Sequence, residues 1–469
     1  MAIPSTAPVR PHAFDALSAR LAGELITAGH PDYEIARRIW NGMIDKRPAA
    51  IARCADADDV ALAIRFAAER GLPLAVRGGG HNVAGTAVVE DGLVIDLSTM
   101  RSVRLDASRR SVHVQGGATW GDVDRVTAPL GLAAAGGVVS ETGVAGLALS
   151  GGVSHQRRRD GMTIDNLLSA EVVLADGRIV SASADEHPDL YWALRGGGGN
   201  FGVVTAFELE LHELGPEVFA LNVAYPIADA ERVLLAWRDA VADAPDELST
   251  AGLIWSLPHV DELPEPLRGR PYVGVAGMWA GDADEGVRAT RALRELATPL
   301  VDMSARIDYL DLQRSLDPFF PAGLRYYWKA LYLDGLSDGA IATTGDWSER
   351  RPSNDTLVII RHVGGAISRV RPGETAFGDR SSEWMLSIDA TWRDPADDGR
   401  NIEWTRAFWD AARPFSHGKT YFNFPGLLED GDAAVSTSYG ANHDRLARIK
   451  AAYDPVNVFR LNQNIRPAA

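Results

Sequence analysis

A histidine follows three consecutive glycines in the stretch RGGGHN, residues 77–82. Glycine permits close approach of the backbone to a ligand, and the N–H groups of residues 78–82 could bind an anion such as a pyrophosphate. A lone histidine is most often a structural or surface residue, but the imidazole of His81 could also be a metal ligand or a reactive nitrogen. No second histidine or cysteine lies at metal-ligand spacing, so we predict no metal site. His81 is therefore either a structural residue or a reactive nitrogen presented to a bound cofactor.

A second glycine-rich stretch, GGGNFG at residues 197–202, matches the pattern G-x-G-x-x-G. In dinucleotide-binding folds that pattern needs a strand before it and a helix after it. Here the order is reversed, because DLYWALR before it is typical of a helix and VVTAFELEL after it is typical of a strand. We therefore predict a loop that packs against a ligand or another loop, and not a Rossmann site.

The chain that contains these loops has 469 residues and is long enough for two or three domains. The net charge of −16 argues against nucleic acid as a partner, since phosphate binding needs a basic surface. No apolar run is long enough to span a bilayer, so we expect no membrane partner, and we expect no secretory signal. A single cysteine, Cys54, excludes an internal disulfide and is consistent with a cytoplasmic protein.

Hydrophobic periodicity predicts alternating helices and strands in the first half of the chain. A helix is expected between the cap Asp56 and Gly71, strands at LPLAV, GLVIDLS and SVHVQ, and a hairpin turn at Asp176-Gly177. The glycine clusters all lie before residue 203. From about residue 216, amphipathic helices alternate with strands such as TLVIIRHV and EWMLSIDATW. The pattern indicates two closely packed α+β units.

Further motifs appear in a fixed order: GVAGL at 143–147, GMTIDNLLSAEVVLADG at 161–177, DLYWALRGGGGNFG at 189–202, YFNF at 421–424 and YDPVNVFRLNQNI at 453–465. Together with RGGGHN they resemble the flavin domain of the vanillyl-alcohol-oxidase superfamily. The nearest match is the berberine-bridge-enzyme-like group of covalent FAD-linked oxidoreductases. The resemblance runs from about residue 46 to the C-terminus and implies a PCMH-type FAD-binding domain.

The resemblance also implies individual roles. His81 matches the histidine that bonds through its ring to the 8α-methyl group of the isoalloxazine, and the glycine loop matches the cradle of the pyrophosphate. The other residues that it assigns to FAD are Arg77, Gly78, Gly79, Gly80, Asn82, Gly85, Val139, Ser140, Thr142, Gly143, Gly146, Asp165, Asn166, Val203, Asn457 and Asn462.

The chain departs from the family pattern at two places. Many relatives have a cysteine that forms a second bond to flavin C6, and here that position is Val139, so we predict a single covalent link. In SHQRRRDG, residues 154–161, Ser154, His155 and Arg157 make this edge of the site more polar than the apolar or aromatic stretch of close relatives. These residues could meet either the substrate or solvent, and we favour a solvated surface turn. Thr142 matches a position linked to oxygen access, which leaves oxidase and dehydrogenase both open.

Catalysis by hydride transfer is easier when the substrate also loses an O–H or N–H proton to a base. In TYFNF, Tyr421 and Asn423 are predicted on one strand face, and they match the family's Y-x-N motif. A phenol has a pKa of about 10, so a phenolate at neutral pH needs a neighbouring group that stabilises it. Lys329 and Tyr327 in RYYWK are candidates for that group. Asp389 in LSIDATW is a second candidate base.

Each catalytic candidate also has a structural alternative. Asp389 could be an ordinary ion-pair partner, Tyr327 a core aromatic residue, and His362 either structural or part of the site.

The expected fold is α+β, with an FAD domain at residues 1–215, a substrate domain on an antiparallel sheet covered by helices at 216–419, and a C-terminal segment at 420–469 that returns to the FAD domain. We expect an oxidase that acts on a small alcohol, sugar or secondary metabolite, with O2 as acceptor. A flavin dehydrogenase or oxidative cyclase, and a non-catalytic flavin-binding or ligand-binding protein, remain alternatives. The oligomeric state is not predicted.

Overall fold

The computed structural model describes residues 14–261, 263–378, 380–429 and 431–469. Nineteen strands are found in these ranges, most of them short. In chain order they are β1 Glu24–Ile26, β2 Ala50–Arg53, β3 Leu74–Arg77, β4 Leu93–Asp96, β5 Val103–Asp106, β6 Ser111–Gln115, β7 Leu132–Ala133, β8 Leu167–Val173, β9 Ile179–Ser183, β10 Val203–Glu210, β11 His212–Glu213, β12 Glu217–Pro226, β13 Leu248–Ser256, β14 Pro271–Trp279, β15 Val301–Asp302, β16 Ala305–Asp308, β17 Arg325–Leu333, β18 Leu357–His362 and β19 Trp384–Trp392.

Fifteen α-helices are found in the described ranges. They are α1 Asp15–Ser18, α2 Tyr33–Ala36, α3 Ala57–Arg70, α4 Trp120–Thr127, α5 Val144–Leu149, α6 Arg157–Asp160, α7 Pro188–Leu194, α8 Ala230–Ala240, α9 Ala283–Ala289, α10 Tyr309–Arg314, α11 Asp338–Glu349, α12 Ala366–Arg369, α13 Asp398–Ala412, α14 Gly431–Tyr439 and α15 His443–Tyr453. None of them is long and apolar enough to cross a membrane within the described ranges.

Local sequence determines several of these boundaries. The carboxylate of Asp56 accepts a hydrogen bond from the amide of Asp59 at the start of α3, and Gly71 ends the helix with a positive φ of 63°. α7 precedes the 197–202 loop and β10 follows it, which confirms the helix–loop–strand order predicted there.

The strands form three larger sheets and one two-stranded ribbon, β11-β7. The first sheet has the order β1-β2-β4-β3, with β3 and β2 both parallel to β4. The second has the order β5-β6-β10-β8-β9 and is antiparallel. The third has the order β15-β12-β14-β13-β18-β19-β17, with β16 also paired to β12, and is antiparallel throughout.

One face of the third sheet is covered by α8, α11 and α13, whose buried Trp237, Ile341 and Phe408 belong to the same apolar core as Val275 and Ile388. The mixed α+β class, with an antiparallel sheet covered by helices, is confirmed. The last helices pack on the first half of the chain, because residues from α14 and α15 share a core with the second sheet. The other face of the third sheet is not covered by these helices and lies against the glycine-rich loops, and the site is found between them.

Candidate active site

A cavity of about 500 Å³ lies between the glycine-rich loops and the uncovered face of the third sheet. Its volume is in the range of about 300–1,000 Å³ that small-molecule and cofactor sites occupy. One end is apolar and is lined by β3 and the start of β10, with Leu74, Val76 and Val203. The other end is lined by strands of the third sheet and by Tyr421, Asn423 and Phe424.

The first wall is built by two glycine loops that pack backbone to backbone. A Cβ atom on Gly79 would lie 2.5 Å from the Cα of Gly143, and one on Gly143 would lie 2.4 Å from the amide nitrogen of Gly79. Such contacts exclude any side chain, so glycine is required at both positions. Gly80 has a φ of +67°, which turns the chain and presents the next residue, His81, to the cavity.

His81 is neutral at physiological pH, because burial lowers its pKa to about 4. By surface area the residue is only partly buried, since one side of it faces the cavity. Nε2 is inaccessible to water and has no hydrogen-bond partner in the described parts of the chain. A neutral imidazole is the form of histidine that can act as a nucleophile.

The ring of His81 is held by an aromatic stack that sequence reasoning did not predict. Trp40 stacks on His81 with the ring centroids 4.1 Å apart and the planes 18° apart. The indole also stacks on Tyr326, at 3.6 Å and 15°, and its Nε1 donates to the carbonyl of Phe320 at 2.9 Å. Next to it, the side-chain amide of Asn41 donates to the carbonyls of Val83 and Tyr326. This segment therefore connects the His81 loop to β17.

The structure brings most of the predicted cofactor residues to the cavity. Those that line it are Gly78, Gly79, Gly80, His81, Asn82, Val139, Thr142, Gly143, Gly146, Val203 and Asn462. Their assignment to FAD remains a prediction.

Six predicted cofactor residues are not among the residues that line the cavity; the structure shows them in supporting contacts, and their assignment to FAD stays a prediction. Arg77 pairs with Asp96 at 2.6 Å behind the loop. Asp165 pairs with Arg380 at 2.7 Å. Ser140 hydrogen-bonds with Asp317.

The other three also stabilise loops or turns. Gly85 packs against Ile44 with a φ of +68°. Asn166 donates to the carbonyls of Asp160 and Met162. Asn457 adopts a φ of +56°, and its amide donates to the carbonyl of Asp454.

Val139 lines the cavity at the position where relatives can have a cysteine. The protein's one thiol, Cys54, is buried in a different apolar core, with the strands of the first sheet. Burial raises the pKa of that thiol, so it stays protonated. The prediction of a single covalent link is therefore retained.

Tyr421 and Asn423 meet at the cavity, although residues 420–424 form a turn and not the predicted strand. The amide of Phe424 donates to the carbonyl of Tyr421 and closes that turn. The Tyr421 hydroxyl accepts hydrogen bonds from the amide of Gly152 and from Nδ2 of Asn423, both at 2.9 Å. Burial raises the pKa of Tyr421 above its usual value, opposed by these two donors and by the charge of Arg361.

The structure corrects two catalytic assignments, Tyr327 and Lys329. Both point to the helix-covered face of β17, because the cavity side of that strand belongs to its alternate residues, such as Trp328. The Tyr327 hydroxyl donates to Glu429, and Lys329 lies 3.6 Å from the same carboxylate. The cation that faces Tyr421 is therefore not Lys329.

That cation is Arg361, on β18, which the sequence analysis missed. It lines the cavity, and its Nη2 lies 3.8 Å from Oδ2 of Asp389 on β19. Asp389 also accepts a hydrogen bond from the Ser387 hydroxyl. Burial raises the pKa of Asp389, with Arg361 and Ser387 acting in the opposite direction. The sequence offered one indication of this residue. Arg361 is a charged residue in an otherwise apolar strand, and it lies on the same strand face as Ile359, two positions earlier.

The stretch 154–161 is not the solvated turn that we predicted. Ser154 and Arg157 are buried, and His155 and Arg157 line the cavity. The Arg157 guanidinium donates to the carbonyls of Ser154, Thr250 and His362, which anchors it between the two halves of the protein. Burial lowers the pKa of His155 to about 4 and that of Arg157 to about 9.

His362 proves structural. Its ring stacks on Trp384 at 4.6 Å, and its Nε2 lies 2.9 Å from Nη1 of Arg158, on the face of β18 that is turned away from the cavity.

These residues fit an FAD molecule. Gly146 lines the cavity with open space where a Cβ would stand, and the apolar end suits an adenine ring. His81 offers a neutral nitrogen without a partner, and Asn462 has a buried side-chain oxygen with none in the described chain. Within the described residues no group of three or more acidic, histidine or cysteine side chains could hold a metal ion.

Comparison with known proteins gives the same assignment. A family model described as an FAD binding domain matches residues 48–183, and one described as berberine and berberine like matches residues 420–466.

Among curated proteins, the (R)-6-hydroxynicotine oxidase of Paenarthrobacter nicotinovorans is 31% identical over 95% of this chain and 97% of its own length. The xylooligosaccharide oxidase of Thermothelomyces thermophilus is 29% identical over 92% and 89%. The crystal structure of 6-hydroxy-D-nicotine oxidase from Arthrobacter nicotinovorans matches with a TM-score of 0.85 and 29% identity, over 96% of this chain and 98% of that one. The chain therefore belongs to the berberine-bridge-enzyme-like family of FAD-linked oxidoreductases.

Proposed function

We propose that this FAD-linked oxidoreductase is a flavin oxidase, linked covalently to its cofactor through His81 alone, that oxidises a small organic alcohol or amine with O2. The observation that carries the proposal is one shared cavity. It holds the neutral His81 nitrogen and glycine cradle at one wall, and Tyr421, Asn423 and Asp389 at the other. Relatives of similar length are named as oxidases of a hydroxynicotine and of a xylooligosaccharide, which supports the oxidase reaction.

With FAD held by the glycine loops and His81, the site would have an acceptor for the hydride of a substrate C–H bond and a route for both electrons to O2, with H2O2 as the second product. The protein must remove the proton of the substrate O–H or N–H group in the same step, so that a carbonyl or imine forms. Asp389 suits this role, because burial raises its pKa above that of an ordinary aspartate and makes the carboxylate a stronger base. Its proton then goes to the peroxide or to solvent.

Tyr421 suits a different role. Its pKa is raised, so the phenol is protonated at neutral pH, and its oxygen already accepts two hydrogen bonds. The one O–H left can donate to the substrate oxygen and orient it. We therefore assign Asp389 as the proton acceptor and Tyr421 as the residue that positions the substrate, in place of the phenolate base expected from the sequence.

Acid precipitation tests the covalent link. The wild-type protein should give a yellow pellet that keeps its flavin, and His81→Ala should give a colourless one. His113→Ala is the matched control, because His113 lies on β6 and is not among the residues that line the cavity. A pellet of His81→Ala that stays yellow would mean that the link is elsewhere.

Anaerobic mixing with alcohols and amines tests the activity. An active compound should bleach the flavin absorbance, and admission of air should restore the colour and release one H2O2 per flavin. Bleaching followed by reoxidation without H2O2 would identify a dehydrogenase. A loaded protein that no compound in a broad panel bleaches would support the non-catalytic alternative.

A further inference from the structure

The floor of the cavity is formed by four neighbouring strands, β13, β18, β19 and β17. Their pairing places Leu253 opposite Ile359 and sets Asp389 between Leu357 and Trp328. The other floor residues that line the cavity are Ala251, Trp255 and Met385, which are apolar, and Ser249, whose hydroxyl already accepts a hydrogen bond from the amide of Arg158. Hydrogen-bonding groups are therefore few on this surface, and each has a strong effect on what can bind.

The hydrogen-bonding groups of this floor that are left unpaired are donors. Nη1 of Arg361 is buried and has no hydrogen-bond partner in the described chain, and Nη2 is too far from Asp389 for a hydrogen bond. The indole Nε1 of Trp328 is also buried without a partner among these residues. A guanidinium and an indole N–H can only donate, so both need an acceptor from elsewhere.

The charge balance points the same way. Two guanidinium groups, those of Arg157 and Arg361, line the cavity. They lie close enough together that the charge of Arg361 adds to burial in lowering the pKa of Arg157. The polar contacts of Arg157 are neutral backbone carbonyls. Asp389 is the one carboxylate among the described residues that line the cavity, so the two guanidinium groups carry one positive charge more than it can balance. A buried charge without full compensation is costly, and an anionic ligand would relieve it.

We propose that the substrate of this site is a compact ring compound that has an anionic oxygen group, a carboxylate or phenolate, which Arg361 binds. This inference rests on the proposed function and adds the substrate class. The apolar floor takes the ring, the Arg361 guanidinium donates to the anionic oxygen, and Asp389 faces the alcohol or amine to be oxidised. Charge-assisted bonds of this kind are about twice as strong as neutral ones.

A sugar fits this floor poorly. A sugar ring presents a hydroxyl group on almost every carbon, and each one needs a hydrogen-bond partner when it leaves water. Leu253, Ile359, Leu357 and Met385 offer none. The expectation of an alcohol, sugar or secondary metabolite is thereby narrowed to anionic ring compounds.

Ligand binding to the loaded protein tests the inference without requiring turnover. Benzoate and benzamide have the same shape and differ in charge, and glucose represents the sugars. Each is titrated into the oxidised holoprotein, and binding is followed through the change in flavin absorbance. We expect benzoate to bind at least tenfold more tightly than benzamide, and glucose to bind not measurably. Equal affinity for the two aromatic compounds would overturn the inference.

Variants then assign the preference to one residue. Arg361→Gln should abolish the preference for benzoate, and Arg361→Lys should retain part of it because the charge remains. Arg351→Gln is the matched control, since Arg351 also lies in this half of the chain, is partly buried and is not among the cavity-lining residues. If Arg361→Gln alters the flavin spectrum but keeps the preference, Arg361 serves the cofactor and the inference is wrong.

The substrate pair 4-(hydroxymethyl)benzoate and benzyl alcohol separates this inference from the proposed function. Faster anaerobic bleaching by the carboxylate compound supports both. Faster bleaching by benzyl alcohol supports the oxidase and overturns the anion preference. Tight benzoate binding with no bleaching by either compound supports the anion site and contradicts an oxidase acting on such alcohols.

Discussion

Substitution of one buried acid should make the protein more stable at neutral and alkaline pH. Asp124 lies on α4 and is 1% exposed. Its Oδ2 has no hydrogen-bond partner in the described chain, and neither has Oε1 of Gln313 on α10. Nε2 of Gln313 is already used, since it donates to the carbonyl of Gly137. A protonated Asp124 could donate to Gln313 Oε1 and satisfy both oxygens, whereas an ionised one could not.

Burial raises the pKa of Asp124 to about 8, while Gln313 and Arg314 act to lower it and Asp317 acts to raise it. In the unfolded chain an aspartate has a pKa of about 3.9, and each unit of difference is worth about 1.4 kcal/mol. The folded state thus binds one more proton between these values, so stability is fully present below about pH 4 and is lost as the pH rises through about 8. The loss is about 4 kcal/mol at pH 7 and about 5–6 kcal/mol above pH 8.

Asp124→Asn removes this titration, because the amide resembles the protonated acid and can donate to Gln313. At pH 4.5 the wild type has lost only about 1 kcal/mol of this stability, so the variant should unfold at a slightly higher urea concentration. At pH 7 and 8.5 the variant should unfold at higher urea, with a difference in free energy of about 4 kcal/mol or more. Equilibrium unfolding of the holoprotein, followed by tryptophan fluorescence at the three pH values, measures the difference.

Asp311→Asn provides the control, because Asp311 is exposed on α10 and should change the midpoint little at any pH. If Asp124→Asn shows the same gap from the wild type at pH 4.5 and pH 8.5, Asp124 does not titrate between these values. The reasoning would then fail, whatever the absolute stability of the variant.

Three further predictions concern the site. Trp40→Leu should lower the fraction of flavin that survives acid precipitation, while Trp40→Phe keeps the stack on the histidine and most of the link; equal fractions would show that the stack does not orient the imidazole. Asp389→Asn should slow anaerobic flavin reduction about a hundredfold or more, as expected for loss of a general base, and Tyr421→Phe only about tenfold; the reverse order would return the base to the phenol. Gly79→Ala should yield folded protein with little bound flavin, because its Cβ would lie 2.5 Å from the facing loop, whereas Gly29→Ala, with open space around it, should bind flavin normally.

The sequence alone was informative where the signal is local. The cap at Asp56, the Asp176-Gly177 hairpin and the order of helix, loop and strand around residues 197–202 depend on neighbours in the chain, and all are present in the structure. The ordered motifs also identified the family, because they span nearly the whole chain. The turn at 420–424 is the exception, since an alternating apolar pattern over five residues suits a strand equally well.

Only the tertiary structure determined which side chains share the cavity. On β17 the alternation of residues separates Trp328 from Lys329, but which face meets the flavin loops depends on the helices that cover the other side. Arg361 and Arg157 come together from segments about 200 residues apart, and Trp40 reaches His81 through packing against β17. A sequence pattern gives the two faces of a strand, and long-range packing decides which of them is the active site.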